Sequence, residues 1–107
     1  MRYSIQHIVS IVHATVTNIV DAEVEQLLID SRKIIFPETS LFFALHSNRR
    51  NGHSFLQDVY ERGVRNFVVD ELVDETKYPQ ANFLKVENTL TALQQLAAKH
   101  ISLFNIP

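Results

Sequence analysis

Leu41-Phe42-Phe43-Ala44-Leu45 is an unbroken apolar run between Ser40 and His46. It is too short for a stable helix and shows no polar alternation, so it reads as a strand buried on both faces. Such a strand should lie centrally in the sheet. Upstream, residues 15–20 are rich in β-branched side chains and Val24 to Ile29 forms a second apolar run. With Asp21-Ala22-Glu23 as a turn between them, they predict two short strands. Ahead of these, Ser4 can cap a helix in which Ile5, Ile8, Val9 and Val12 recur at helical spacing.

Downstream, His46 to His53 is polar and cationic and ends in Asn51-Gly52, a pair that tolerates positive φ and favours a tight turn. Ser54 with Gln57 three residues later has the form of a capping box, followed by Phe55, Leu56, Val59 and Tyr60 on one helical face. Gly63 closes that helix as the residue after its C-cap. Val64 to Asp70 predicts a strand, and Phe83-Leu84-Lys85-Val86 another after the Pro79 loop. Asn88 can cap a last helix whose stripe is Leu90, Leu93, Leu96, Ala97, Ile101 and Phe104. Alternating strand and helix signals predict an α/β fold: a small mixed or mostly parallel sheet with about three packed helices.

The 107 residues, 46% of them hydrophobic, suit a single compact domain with a real core. The absence of Cys excludes disulfides, thiol nucleophiles and thiolate metal sites. Ten basic against twelve acidic residues give a formal charge of −2, which offers no general attraction to nucleic acid or to an anionic membrane. Met1-Arg2-Tyr3-Ser4-Ile5 opens no secretory h-region, and no apolar run reaches the length of a membrane span. The expected location is the cytoplasm.

Five histidines, His7, His13, His46, His53 and His100, show neither an HExxH pattern nor a clustered carboxylate partner in the sequence. They are read as structural or surface residues, with no metal site expected. There is no GxSxG, GxGxxG or GxxxxGK[ST] motif, and no catalytic residue is assigned. Two polar segments remain as ligand-site candidates. Asp30-Ser31-Arg32 directly follows an apolar strand, where open α/β sheets bind ligands; it also suits a local turn or cap. Asn48-Arg49-Arg50 leads into a helix N-terminus and offers two guanidinium groups suited to phosphate; a solvated basic loop has the same composition.

Asp30-Ser31-Arg32, then Leu41 to Leu45, then Asn51-Gly52-His53-Ser54-Phe55, then Gly63 before Phe67-Val68-Val69, follow one another in an order that resembles the N-terminal domain of the MurE and MurF ligases. The resemblance covers most of the chain. Val86 to Ala97 looks like the segment that precedes the family's central ATP-binding domain, and the end at Phe104-Asn105-Ile106-Pro107 looks like a cut before that domain. Asn88-Thr89-Leu90 is closer to the Asp-Thr-Leu form of MurF-like chains than to the Asp-Xaa-Arg form of MurE. The resemblance implies one substrate-binding domain over residues 1–107, with the central and C-terminal domains of the polypeptide as its partners.

By the same resemblance, the domain holds the uridine diphosphate end of UDP-N-acetylmuramoyl-tripeptide. The residues implicated are Ile29 through its backbone, Ser31 through its hydroxyl, and Asn48, Arg49 and Arg50. The implied reaction is ATP-dependent amide formation with D-alanyl-D-alanine, for which ATP and Mg²⁺ bind to later domains and no cofactor binds to this one. The isolated domain is therefore expected to be inactive. A MurE-like ligase adding the third amino acid, and a non-enzymatic module for another small ligand, are the alternatives. The chain departs from the family at Pro37-Glu38-Thr39-Ser40, where Pro-Gly-Asp is usual, at Ser47 in place of a glycine, and at Asn51 in place of an aspartate.

Overall fold

The computed structural model describes residues 3–17, 19–46 and 51–104, with 100–104 described through their backbone only. The chain opens with strand β1 (Tyr3–Ser4) and helix α1 (Ile5–Val12), where the Ser4 side chain accepts the His7 N–H at 3.2 Å as the predicted cap. Strand β2 (Glu23–Val24) pairs antiparallel with β1, and β3 (Gln26–Leu28) begins a separate sheet. The apolar run Val24 to Ile29 is thus split between two sheets, with Val24 and Leu28 buried in different clusters.

The decisive run becomes β4 (Ser40–Phe43), buried at every position, followed by helix α2 (Leu56–Glu61), β5 (Asn66–Val69), β6 (Asn82–Lys85) and helix α3 (Thr89–Phe104). Strands β3-β4-β5-β6 form one sheet in that order, each parallel to the next, with Leu41 opposite Leu27 and Asn66. Alternation along β4 divides the core. Leu41 and Phe43 face Ile5, Ile8, Val12 and Leu96 of α1 and α3, while Phe42 and Ala44 face Leu56 and Val59 of α2. Helices therefore cover both faces of a parallel sheet, which accounts for the absence of polar alternation in its strands.

Among the described residues of 15–20, the predicted strand does not form. Thr15 makes a single antiparallel bridge to Lys85, exchanging both backbone hydrogen bonds at 2.8 and 2.9 Å, and the chain then leaves the sheet. Further on, the Asn82 amide binds both backbone groups of Val20, accepting its N–H at 2.7 Å and donating to its carbonyl at 2.8 Å. A side chain thus does for Val20 what a strand neighbour would have done, and the β-branched preference of the segment is overridden.

The entry to α2 also differs from the prediction. Asn51 caps a 3₁₀ turn, Gly52–Phe55, by accepting the His53 N–H at 3.0 Å, and Ser54 donates to the Asn51 carbonyl instead of capping a helix with Gln57. Gly52 is not at positive φ; among the described glycines only Gly63 is, at 106°, where it closes α2 as predicted. In α3 the Asn88 side chain accepts the Thr91 N–H at 2.9 Å, the predicted cap. The buried face is Thr89, Ala92 and Leu96, flanked by half-buried Leu93 and Ala97. Leu90 is exposed, since one step along a helix turns a side chain by roughly 100° away from the core-facing Thr89. The side chains of Ile101 and Phe104, the remainder of the predicted stripe, lie outside the described residues.

Candidate functional site at the carboxyl edge of the sheet

Strand β3 ends at Leu28, and the chain turns at once into a 3₁₀ turn, Ser31–Lys33. Asp30 builds this turn. Its carboxylate accepts the Arg32 N–H at 2.9 Å and takes the Arg32 guanidinium with both oxygens at 3.1 Å. The guanidinium hydrogen bonds, and then the Arg32 N–H, hold the Asp30 carboxyl down at about 2, and the carboxylate in turn raises Arg32. The local-cap reading of Asp30 is therefore correct, and it leaves Ser31 at the apex of a fixed turn. Ile29, 57% exposed, and half-buried Ser31 both face a cleft of about 530 Å³.

The opposite wall comes from a different part of the sequence. Gly52 and Phe55 of the 3₁₀ turn Gly52–Phe55, Asp58 and Arg62 of the α2 segment, and Leu45 beyond β4 line the same cleft. Gly52 is there for contact distance: a β-carbon on it would lie 2.6 Å from the Leu45 nitrogen and 2.8 Å from two Ala44 atoms. Arg62 spans the cleft, donating from Nη1 to the Ser31 carbonyl at 3.3 Å while its Nε lies 3.5 Å from the Asp58 carboxylate. Nothing in the sequence pattern singles out Arg62, because its relation to Ser31 exists only once α2 packs beside β3.

Asn48, Arg49 and Arg50 lie outside the described residues. The residues that flank them are well fixed. His46 and Asn51 form an antiparallel bridge, and the Gly52 N–H donates to the Leu45 carbonyl at 2.7 Å. Beyond β5, Asp70 accepts His46 Nε2 at 2.7 Å, and Glu71 accepts the Asn51 amide at 2.6 Å. The second Asp70 oxygen accepts the Thr89 N–H at 3.2 Å, where α3 begins, and the Thr89 hydroxyl donates to the Ala44 carbonyl at 2.9 Å.

The fold thus gives the histidines the carboxylate partners that the sequence does not place beside them. His46, His53, Asp70 and Glu71 offer donor atoms that all lie within 4.8 Å of one another, the described group that could hold a metal ion. His53 is already committed. Its Nε2 accepts the Asp70 N–H at 3.1 Å, which puts the proton on Nδ1 and directs it to the Asn51 oxygen at 2.6 Å. The 2.7 Å between His46 and Asp70 is the length of a charge-assisted hydrogen bond. The four groups are accounted for as a hydrogen-bond network.

Their protonation follows from that network. The Asp70 hydrogen bond raises His46 above its ordinary value, whereas burial lowers His53. For Asp70, burial pushes upward, but the hydrogen bonds from His46 and the Thr89 N–H outweigh it and the carboxyl is lowered. No described helix is long and apolar enough to cross a membrane.

No family model matches the chain. It is 33% identical over 106 residues to the UDP-N-acetylmuramoyl-tripeptide–D-alanyl-D-alanine ligase of Bacillus subtilis, covering 94% of the chain and 22% of that relative. Against the UDP-N-acetylmuramoyl-L-alanyl-D-glutamate–2,6-diaminopimelate ligase of Clostridium tetani it is 29% identical over 82 residues, covering 76% of the chain and 16% of the relative. The crystal structure of MurF from Acinetobacter baumannii superimposes with a TM-score of 0.81 at 24% identity, over 95% of this chain and 22% of that one. The chain therefore spans about a fifth of the length of such relatives. Sequence and fold together place the chain in the MurE/MurF family of Mur ligases, as a counterpart of their N-terminal domain.

Proposed function

We propose that this chain is the domain of an ATP-dependent ligase that holds the uridine diphosphate end of UDP-N-acetylmuramoyl-tripeptide while D-alanyl-D-alanine is added, in cytoplasmic synthesis of peptidoglycan precursors. One observation carries the reading: Ser31, on a turn fixed by its neighbours, faces the start of the α2 segment across a cleft at the carboxyl edge of a parallel sheet. Open α/β sheets bind ligands at that edge. Ile29 contributes its backbone, Ser31 its hydroxyl, and Asn48, Arg49 and Arg50 the contacts to the diphosphate, for which guanidinium groups are well matched.

In this reading residues 1–107 are one domain of a longer enzyme. ATP, Mg²⁺ and the dipeptide bind to the central and C-terminal domains, and this chain alone turns over nothing. Two relatives that add D-alanyl-D-alanine match over 106 and 94 residues at 33% and 34% identity. Two that add 2,6-diaminopimelate match over 82 and 78 residues at 29% and 30%. The first activity is therefore favoured over the second, in which the third amino acid is added.

The test is a titration of the chain with UDP, following backbone amide resonances, combined with kinetics of the intact ligase. UDP should perturb residues 29–32 and 48–53 together. Arg49→Ala and Arg50→Ala should raise the KM for the nucleotide substrate by about 1.5 to 3 kcal/mol of lost binding, the usual worth of a charge-assisted contact. Lys77→Ala, on a remote surface turn, is the control, and Ser31→Ala should act more modestly. Three variants indistinguishable from the control would remove the diphosphate from this cleft.

A further inference from the structure

At the amino edge of the sheet, two buried side chains form a chain of amides whose directions are fixed. Asn66 begins β5 and Asn82 begins β6, each 1% exposed. Asn82 accepts the Val20 N–H on Oδ1 at 2.7 Å and donates from Nδ2 to the Val20 carbonyl at 2.8 Å, so its amide fits only one way round. Asn82 Nδ2 also donates to Asn66 Oδ1 at 2.9 Å. Turning the Asn66 amide over would set two NH₂ groups against each other, so the Asn66 group left over is a donor. Among the described residues, Asn66 Nδ2 is the buried side-chain nitrogen or oxygen with no hydrogen-bond partner in the protein.

A buried donor without an acceptor is destabilising, and what would satisfy this one is an oxygen. Asn66 and Asn82 line a cleft of about 360 Å³, at the opposite ends of the strands from the Ser31 cleft and within the size range of small-molecule sites. Asp21, Glu23 and Glu38, all exposed, line it as well. The one basic residue of that lining, Arg65, lies over the Tyr60 ring at 3.9 Å and donates from Nη1 to the Tyr60 and Val64 carbonyls at 2.7 and 3.0 Å. Three carboxylates against one guanidinium give the cleft a negative potential, which favours a cation and disfavours an anion. A bare metal ion answers the charge but offers Asn66 no acceptor.

We propose that this cleft is a second binding site, for a small organic cation that carries a carbonyl oxygen, as an α-amino amide does. The carbonyl oxygen accepts the free Asn66 N–H, and the ammonium group lies among the carboxylates of Asp21, Glu23 and Glu38. The site is independent of the UDP reading, because the two clefts share no lining residue.

The experiment follows the Asn66 side-chain amide and the backbone amides of residues 21–23, 38 and 39 by NMR while the chain is titrated with glycinamide, methylammonium or acetamide. Glycinamide carries both the cation and the carbonyl, and the other two probes carry one each. Glycinamide should shift the Asn66 side-chain resonances and bind about threefold to tenfold more tightly than methylammonium, the worth of one hydrogen bond. Acetamide should bind more weakly than glycinamide, since it brings no charge. Glu38→Gln removes an exposed charge and leaves Asn66 in place, so it should weaken glycinamide by about twofold to fivefold, whereas Glu87→Gln, outside the cleft, should not. Equal affinity for glycinamide and methylammonium, or an Asn66 side-chain amide that glycinamide does not move, would overturn the site. Unchanged glycinamide affinity in Glu38→Gln would overturn the recognition of the cation by that carboxylate.

Discussion

Gly52 sits against the backbone that carries β4 out of the sheet, close enough that any β-carbon would lie 2.6 Å from the Leu45 nitrogen. The contact lies within the wall opposite Ser31, where the Gly52 N–H also donates to the Leu45 carbonyl at 2.7 Å. Backbone atoms cannot step aside as a flexible side chain can. Gly52→Ala should therefore cost about 1 to 3 kcal/mol or more by overpacking. It should also push the Gly52 turn away from the Leu45 backbone at the cleft. Urea denaturation of the chain measures the first effect, and an unchanged midpoint would mean that the contact is looser than described.

Leu96 is fully buried against α1 and the sheet, while Leu90 on the same helix is 51% exposed. Leu96→Ala should cost about 2 to 5 kcal/mol, the range for a core leucine replaced by alanine. Leu90→Ala should change the urea midpoint little, as alanine is also the better helix former. Equal effects from the two would place a different face of α3 on the core.

His46 and His53 should titrate in opposite directions from the ordinary value of 6.5: His46 above it because Asp70 accepts its proton, His53 below it because it is buried. The signs for stability also oppose. The His46 contribution is present in full below the unfolded pKa and fades as pH rises through its raised folded pKa. Because His53 must stay neutral in the fold, stability falls as pH drops below 6.5 and the unfolded chain takes up the proton. Imidazole carbon-bound proton shifts followed by NMR across this range resolve the two residues, and coincident midpoints would contradict the network.

Arg62 reaches from the end of α2 to the Ser31 carbonyl at 3.3 Å. Its ion pair with Asp58 is half-exposed on both sides and contributes little, about 0 to 1 kcal/mol. Arg62→Ala should thus leave global stability nearly unchanged while shifting the amide resonances of Ser31 and Arg32. If only residues 58–62 shift, the bridge across the cleft is not made in solution.

Much of the fold was legible because local chemistry and tertiary need agreed. Leu41 to Leu45 read as a strand buried on both faces, and its first three residues lie in buried β4, while Ser4, Asn88 and Gly63 act as cap, cap and stop through bonds made within a few residues. The family, too, was legible from short motifs in order, and Asp30 could be read as a cap from its own neighbours. Where distant segments meet, the sequence was silent or misleading. Residues 15–20 have strand chemistry, but Asn82 takes the backbone of Val20. Gly52 looked like a turn residue and proved to be a spacing residue, because what excludes a side chain there is Leu45. Arg62 reaches Ser31, His46 reaches Asp70 and Asn51 reaches Glu71 only in the folded chain. These pairs are separated by tens of residues, so hydrogen-bond partners and burial at the site were decided only when the parallel sheet brought the ends of β3, β4 and β5 to one edge.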